Sequence, residues 1–217
     1  MQIELTGAGK RFNREWIFRH ANLQFNSGVA YAITGHNGSG KSTLLQTIGG
    51  MLQLSEGKLA YAANGKAIAD ENAYRQISFC APYLDVIEEM TLVEFLQFHS
   101  RFKSYINGLQ IQQVIEIVDL QAAAHKQIRF YSSGMKQRVK LAQAILSDTG
   151  IVLLDEPCSN LDAKGIALYH SLIKNYCTNR IVIVCSNDEI EYRFCQERIE
   201  MQQLKASPTP PKEGLRS

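Results

Sequence analysis

The apolar positions of the chain fall into two patterns, short β-branched runs and longer helical stripes. The short runs predict buried strands, because each is apolar throughout and ends at polar or turn residues. They are residues 29–34, 151–154 and 181–185. Residues 41–50 form a helical stretch closed by a glycine pair. Strands that alternate with helices across residues 29–80 and 150–203 indicate a parallel sheet covered by helices, so we predict an α/β fold.

The stretch between these two regions, residues 83–149, carries almost no strand pattern and shows three helical stripes instead. Thr91 and Glu94 form a capping box at the start of the first stripe. The three apolar faces are Leu92, Phe95, Leu96 and Phe102; Ile111, Val114, Ile115 and Val118; and Val139, Ala142, Ile145 and Leu146. We interpret these faces as core, and the segment as a helical insertion that interrupts the α/β fold.

Composition and charge narrow the possible partners and the location. The 217 residues are 45% hydrophobic and 20% charged, which is close to the average for soluble globular proteins and suits one sizeable domain. A net charge of +2 without a basic stripe disfavours nucleic acid as a partner. Purely aliphatic stretches reach only four residues, and the N-terminus lacks the features of a secretory signal. We therefore expect a cytoplasmic protein with no spanning segment.

Cysteine and proline usage adds two expectations. The five cysteines are odd in number and form no CxxC pair, which is typical of reduced thiols rather than disulfides or zinc ligands. Residues 205–217 hold three of the five prolines and almost nothing apolar. We predict a folded domain over residues 1–204 and a disordered tail over residues 205–217.

A phosphate-binding pattern, GxxxxGK[ST], lies directly after the first predicted strand and opens the first predicted helix. Small residues let successive backbone amides point at an anion, and the helix N-terminus adds its dipole. Lys41 would reach the β and γ phosphates of a nucleotide, and Ser42 would ligate Mg²⁺. A glycine-rich turn is the alternative, but the flanking strand and helix disfavour it. The predicted nucleotide-binding residues are Gly35, His36, Asn37, Gly38, Ser39, Gly40, Lys41, Ser42 and Thr43.

Two carboxylates, Asp155 and Glu156, end the apolar run at residues 151–154, at the edge of the sheet where α/β proteins bind ligands. Asp155 is expected to hold Mg²⁺, and Glu156 to orient and deprotonate the water that attacks the γ phosphate. Alone, such a pair is more often a solvated turn, because carboxylates favour the surface. Together with the phosphate loop it predicts a site for ATP and Mg²⁺.

One further motif narrows the resemblance to a single family. Residues 131–138, Tyr-Ser-Ser-Gly-Met-Lys-Gln-Arg, resemble the signature of the ATP-binding cassette (ABC) family, which reads LSGGQ and continues into a helix with QR. Residues 159–162 resemble the D-loop of the same family. Ser132 alone would be a helix cap, but a capped helix N-terminus is also an anion site. The family's nucleotide-contacting positions outside the phosphate loop correspond to Phe12, Ser132, Ser133 and Gly134.

The resemblance covers about residues 1–203 and implies an α/β, P-loop NTPase fold. Its core would have a mostly parallel sheet with an N-terminal antiparallel β portion, over residues 1–82 and 150–204, and an inserted α-helical subdomain over residues 83–149. It also implies an ATP-hydrolysing subunit that forms a head-to-tail dimer with itself or a homologous subunit. Such subunits drive integral membrane subunits of a transporter from the inner face of the cell membrane. The short length and the form of the signature resemble exporter-type cassettes.

Two positions depart from the family, and both concern the γ phosphate. Where the family has a glutamine after a strand, this chain has Ala81, Pro82 and Tyr83, and Pro82 has no side-chain donor or acceptor. Where the family has a histidine, this chain has Asn187, which donates an amide hydrogen bond but never carries a positive charge. We predict hydrolysis that uses Glu156 and Asn187 and is slow or depends on a partner.

Two other functions stay open at the level of sequence. A soluble ATP-dependent switch would use the same cassette without transport, and the missing glutamine and histidine favour it. An unrelated P-loop kinase would need a dedicated acceptor site, and it leaves the signature unexplained. A copurified integral membrane protein would favour transport, whereas tight ATP binding with negligible turnover and only soluble partners would favour the switch.

Overall fold

The computed structural model describes residues 1–205, which form two β-sheets with helices packed against them. The strands within these residues are β1 (Gln2–Phe12), β2 (Glu15–Asn26), β3 (Ala30–Thr34), β4 (Glu56–Ala63), β5 (Lys66–Ile68), β6 (Ile77–Cys80), β7 (Ile151–Asp155), β8 (Ile181–Cys185) and β9 (Glu197–Glu200). The α-helices are α1 (Lys41–Ile48), α2 (Asp70–Ala73), α3 (Leu92–Ser100), α4 (Ile111–Ile117), α5 (Ser133–Ile145), α6 (Ala163–Tyr176) and α7 (Glu189–Tyr192).

The larger sheet has the strand order β6-β7-β8-β3-β9, and all its neighbouring strands are parallel. Its central strands β3, β7 and β8 are buried along their whole length, which is why they appear in the sequence as continuous apolar runs. The carboxyl ends of these strands lie at one edge of the sheet. The predicted α/β fold with a parallel sheet is therefore confirmed.

The smaller sheet has the order β2-β1-β4-β5 and is antiparallel throughout. Its strands β1 and β2 form a long hairpin that closes at Phe12 and Glu15. The residues of one face, among them Ile3, Leu5 and Phe25, are buried against the parallel sheet and α1. This is the N-terminal antiparallel portion that the family resemblance implies.

The three predicted stripes of residues 83–149 form α3, α4 and α5, and their buried residues join one hydrophobic cluster with β7 and β8. The capping box of Thr91 and Glu94 is present, with the Thr91 N–H donating to Glu94 Oε2 at 2.8 Å. The predicted buried face is wrong for one residue. Phe102 was expected on the buried face, but its side chain is 70% exposed because α3 ends at Ser100 and the chain turns away.

Two expectations extend beyond these observations. The division of the chain into a core and an inserted subdomain stays a prediction. The predicted disordered tail, residues 205–217, lies outside the described residues except for Lys205. Across residues 1–205, no helix has the length and apolar character that crossing a membrane requires.

Candidate nucleotide site

The loop between β3 and α1 takes its shape from glycine backbones. Gly35, Gly38 and Gly40 all have positive φ angles, of 148°, 76° and 103°, in a region that favours glycine. A Cβ atom at Gly40 would also lie 2.2 Å from Cγ2 of Ile17. The chain can therefore curl here and enter α1 at Lys41 only because these positions carry no side chain.

Lys41 is directed into the loop rather than into solvent. The residue is only 6% exposed, and its Nζ atom donates hydrogen bonds to the carbonyl oxygens of Gly35, at 2.7 Å, and His36, at 3.3 Å. A positive charge thus lies where the backbone amides of the loop and the N-terminus of α1 converge. This arrangement suits a multiply charged anion such as the phosphate chain of a nucleotide.

Asp155 ends β7 and is 2% exposed, and within residues 1–205 its Oδ2 atom has no hydrogen-bond partner. A buried carboxylate oxygen without a donor is costly unless a cation or a bound water meets it. Burial raises the pKa of Asp155, and the nearby hydroxyl groups of Ser42 and Tyr83 oppose that rise. These oxygen ligands fit Mg²⁺, which proteins hold through one or two carboxylates together with hydroxyls and phosphates.

Glu156 follows with a positive φ of 45°, an uncommon backbone conformation for a residue with a side chain. Its N–H donates to the carbonyl oxygen of Cys185 at 2.9 Å, which ties it to the end of the neighbouring strand β8. The side chain is exposed and lines a cavity of about 280 Å³. The other residues of that lining are Ile17, Asn37, Gly38, Gly40, Lys41, Ser42 and Thr43. The structure thus brings Glu156 and the phosphate loop to one cavity.

Asn187 lies beside this site, just past the end of β8. Its Nδ2 atom donates a hydrogen bond of 2.7 Å to Oδ1 of Asn37, a loop residue 150 positions earlier in the chain. His36 lies on the surface of the loop, with its Nδ1 atom 2.8 Å from the carbonyl oxygen of Asn37. Asn187 therefore contacts the phosphate loop through its amide.

The signature residues face a different cavity. Ser132 caps α5, because its hydroxyl accepts a hydrogen bond of 3.2 Å from the Met135 N–H. Ser132, Ser133 and Gly134 line a cavity of about 450 Å³ together with residues 160–162. The lining of this cavity shares no residue with that of the phosphate-loop cavity. Within one chain the structure does not bring the signature to the phosphate loop.

Phe12 is also separate from the loop in this structure. It ends β1, is 47% exposed, and has the Lys10 ammonium 5.1 Å from its ring centroid. The residue of this region that lines the phosphate-loop cavity is Ile17 on β2. The nucleotide contact that the family resemblance implies for Phe12 stays a prediction.

Three side chains near the site were given no role in the sequence analysis. Burial raises the pKa of the Tyr83 hydroxyl, and the nearby Gln46 side chain and Asp155 carboxylate also influence that pKa. Gln137 on α5 donates a hydrogen bond of 2.7 Å to the carbonyl oxygen of Pro157, directly after the acidic pair. Glu191, 5% exposed on α7, accepts a hydrogen bond of 2.7 Å from the Cys158 N–H. Their partners are distant in sequence, so no local pattern could have revealed them.

Comparison with known proteins shows similarity to ATP-binding proteins of ABC transporters. The family model described as "ABC transporter" matches residues 18–159. An uncharacterized ABC transporter ATP-binding protein of Bacillus subtilis, YybJ, is 30% identical over 92% of this chain and 92% of its own length. The cytochrome c biogenesis ATP-binding export protein CcmA of Agrobacterium fabrum is 27% identical over 91% of this chain and 94% of its own length. The chain covers 58% of the length of YcbN, another relative from Bacillus subtilis.

Solved structures share the fold. A dimeric ATP-binding cassette in a post-hydrolysis state, bound to ADP and Pi, superposes with a TM-score of 0.78 at 24% identity and covers 91% of this chain and 93% of its own. The ATP-binding subunit of an ABC transporter superposes with a TM-score of 0.78 at 22% identity, and the superposition covers 92% of this chain and 85% of that subunit.

Proposed function

Since this chain belongs to the ABC transporter family, as an ATP-binding subunit, we propose that it hydrolyses ATP to drive membrane subunits carried on other chains. The observation that carries this proposal is the single cavity lined by Lys41, Ser42 and Glu156. Phosphate-binding groups and a carboxylate base are the two requirements for attack of water on a γ phosphate.

Each group has a distinct task in the proposed reaction. The loop amides and the Lys41 ammonium bind the β and γ phosphates, and Ser42 and Asp155 hold Mg²⁺. Mg²⁺, when bound, neutralises charge on the β and γ oxygens. Glu156 orients the attacking water and accepts its proton. Asn187 donates its amide to a γ-phosphate oxygen after leaving Asn37.

The second half of the site would come from another chain. Because residues 132–134 and the phosphate loop of one chain face different cavities, the capped N-terminus of α5 is free to meet a nucleotide bound elsewhere. A head-to-tail dimer, with itself or a homologous subunit, would place two ATP molecules between the loop of one subunit and the signature of the other. ATP binding then closes the dimer, and hydrolysis reopens it.

The surface that would meet the membrane subunits lies beside the loop after β6. Ile87 on this loop is 38% exposed, Phe98 and Phe102 near the end of α3 are 39% and 70% exposed, and Leu84 and His99 line a groove of about 270 Å³. Exposed apolar side chains next to a groove are typical of an interaction surface. We propose that integral membrane subunits bind here, that the chain lies at the inner face of the membrane, and that transport is of the exporter type.

The replaced positions suggest a low intrinsic rate. Asn187 is shorter than a histidine and cannot carry a positive charge that would stabilise the negative charge on the γ phosphate during hydrolysis. The hydrogen bond to Asn37 also holds its amide on the loop. We infer that hydrolysis is slow in the isolated subunit, or rises when a partner subunit is present.

The experiment compares wild type with Glu156→Gln and Lys41→Ala in ATP and Mg²⁺. Glu156→Gln should abolish turnover while retaining nucleotide affinity and prolonging the ATP-bound dimer, because it removes the base without removing phosphate contacts. Lys41→Ala should weaken ATP binding by at least about tenfold, the worth of one hydrogen bond to a charged group. Glu189→Gln, at an exposed carboxylate, is the matched control. Turnover equal in wild type and Glu156→Gln would exclude Glu156 as the base.

A soluble ATP-dependent switch is the second candidate, and the observation that favours it is the amide of Asn187 in place of a titratable ring. The two candidates differ in what accompanies the chain. Affinity purification from its native membranes should recover an integral membrane protein if the chain drives transport. Only soluble partners, with tight ATP binding and negligible turnover, would identify the switch.

A further inference from the structure

The turn after β7 holds Glu156 in an uncommon backbone conformation, with a φ of 45°. The carbonyl oxygen of Glu156 accepts a hydrogen bond of 3.1 Å from the Ser159 N–H, so residues 156–159 form a four-residue turn. Pro157 occupies the second position, where its ring restricts the backbone. The N–H of Cys158, at the third position, takes no part in the bond that closes the turn. The direction of the Glu156 side chain therefore depends on what else holds this turn.

Glu191 on α7 supplies an acceptor for that N–H. Its Oε1 atom accepts a hydrogen bond of 2.7 Å from the Cys158 N–H, across 33 positions of the chain. A hydrogen bond to a carboxylate is roughly twice as strong as one between neutral groups. From the other side, Gln137 Nε2 on α5 donates a hydrogen bond of 2.7 Å to the carbonyl oxygen of Pro157. Two helices thus hold successive residues of the turn.

Glu191 is itself fixed by its surroundings. The residue is 5% exposed, and its backbone carbonyl oxygen accepts a hydrogen bond of 2.8 Å from the hydroxyl of Tyr169, a fully buried residue of α6. Asp188 caps α7, because its Oδ1 atom accepts a hydrogen bond of 3.0 Å from the Ile190 N–H. A carboxylate on a capped helix that is tied to a buried tyrosine has little freedom to follow a displaced turn.

Stability alone does not account for this buried carboxylate. The Oε2 atom of Glu191 is also buried and has no hydrogen-bond partner among residues 1–205. A buried carboxylate that is not fully paired is destabilising, and an apolar residue of similar volume is often the more stable choice. The contact with Cys158 is therefore better explained by the geometry that it imposes on the turn.

We infer that Glu191 is a positioning residue for the base Glu156, an inference that rests on the proposed ATPase function. By holding the Cys158 N–H, its carboxylate fixes the turn that sets where the Glu156 side chain lies in the phosphate-loop cavity. Glu191 is not among the residues that line this cavity. Its loss is therefore expected to lower turnover and to leave nucleotide affinity unchanged.

The substitutions at Glu191 separate the contact from the fold. Glu191→Met retains an unbranched side chain and removes the acceptor, whereas Glu191→Asp retains the carboxylate but withdraws it by one methylene. Glu191→Gln still offers an oxygen to the Cys158 N–H, so it is the conservative variant that should preserve function. Glu189→Met is the matched control, because Glu189 lies on the same helix and is exposed.

The experiment measures kcat by phosphate release, affinity for the non-hydrolysable analogue AMP-PNP by calorimetry in Mg²⁺, and urea unfolding of each variant. For Glu191→Met and Glu191→Asp we expect kcat to fall about tenfold, as for one hydrogen bond to a charged group, with affinity within about twofold of wild type. Glu191→Gln should keep kcat within about threefold of wild type. Glu189→Met should match wild type in all three measurements.

Two results would overturn the inference. A kcat of folded Glu191→Asp equal to that of wild type would show that the contact with Cys158 does not act on the base. Equal losses of affinity and kcat in all three Glu191 variants would show that the residue supports the fold only. If Glu191→Met does not fold, Glu191→Asp and Glu191→Gln give the same comparison. Equal turnover in wild type and Glu156→Gln would instead refute the proposed role of Glu156, and with it the premise of the inference.

Discussion

Acidification should destabilise the domain through one buried histidine, His99 on α3. The residue is 9% exposed, its Nε2 atom lies 2.8 Å from Ser147 Oγ, and its Nδ1 atom lies 3.4 Å from Gln143 Nε2. Burial, together with the Lys103 ammonium, lowers the pKa of His99 to about 4. The folded protein therefore keeps this imidazole neutral at pH values where the unfolded chain binds a proton.

The sign and size of the effect follow from the two pKa values. An unfolded histidine titrates near 6.5, so the contribution of His99 is fully present above that pH and is lost as the pH falls towards about 4. At 1.36 kcal/mol per pKa unit, proton binding by the unfolded chain lowers the free energy of unfolding by about 2 kcal/mol at pH 5 relative to pH 8. For a domain of ordinary stability this is a large fraction of the free energy of unfolding.

The assay is urea unfolding of wild type and His99→Gln at pH 8 and pH 5. Glutamine cannot titrate but can still bond Ser147, so the free energy of unfolding of the variant should fall by about 2 kcal/mol less than that of wild type over this interval. Burial also lowers the pKa of His170, but this contribution is common to both proteins and cancels in the comparison. His125→Gln, at an exposed histidine, is the control and should behave as wild type. Parallel losses in wild type and His99→Gln would refute the reasoning.

Three other changes test the site. Gly40→Ala should weaken ATP binding at least about tenfold, because the added Cβ would lie 2.2 Å from Ile17 Cγ2 at a φ of 103°. Gly65→Ala is the control, since Gly65 also has a positive φ but has open space around it. Equal ATP affinities of wild type and Gly40→Ala in calorimetry would contradict this prediction. Asn187→His should raise ATP turnover roughly threefold or more in a phosphate-release assay, since histidine can carry charge; an unchanged rate would contradict it. Burial raises the pKa of Glu191, so wild type should lose stability relative to Glu191→Gln as the pH rises from 5 to 8. Urea unfolding measures this, and a difference in the free energy of unfolding that stays constant over this pH range would contradict the prediction.

The parts of the fold that follow from local pattern were predictable from the sequence. The strands β3, β7 and β8 are wholly buried, so each appears as an uninterrupted apolar run, and the capping box at Thr91 fixes the start of α3 within one residue. Periodicity failed where a helix ended. Phe102 continues the spacing of the α3 stripe, but a turn after Ser100 places its ring against Phe98 on the surface, 5.1 Å between centroids.

The chemistry of the site was predictable where it depends on residues adjacent in the chain. The phosphate loop is one such stretch, since its glycines and Lys41 share one turn of backbone. Contacts between elements were not predictable, because they depend on how strands are ordered in the sheet. The hydrogen bond of Asn187 to Asn37, for example, joins residues that are 150 positions apart in the chain. The roles assigned to individual site residues stay predictions.

Helix α5 links the signature to the segment that follows the acidic pair. Its first turn carries the signature, and one turn later the Gln137 amide holds the carbonyl oxygen of Pro157 and approaches Cys80 Sγ at 3.7 Å. Residues 132–137 span little more than one helical turn, which the backbone hydrogen bonds of the helix keep stiff. A displacement of residues 132–134 would therefore also move, through the Gln137 amide, the segment that bears Asp155 and Glu156.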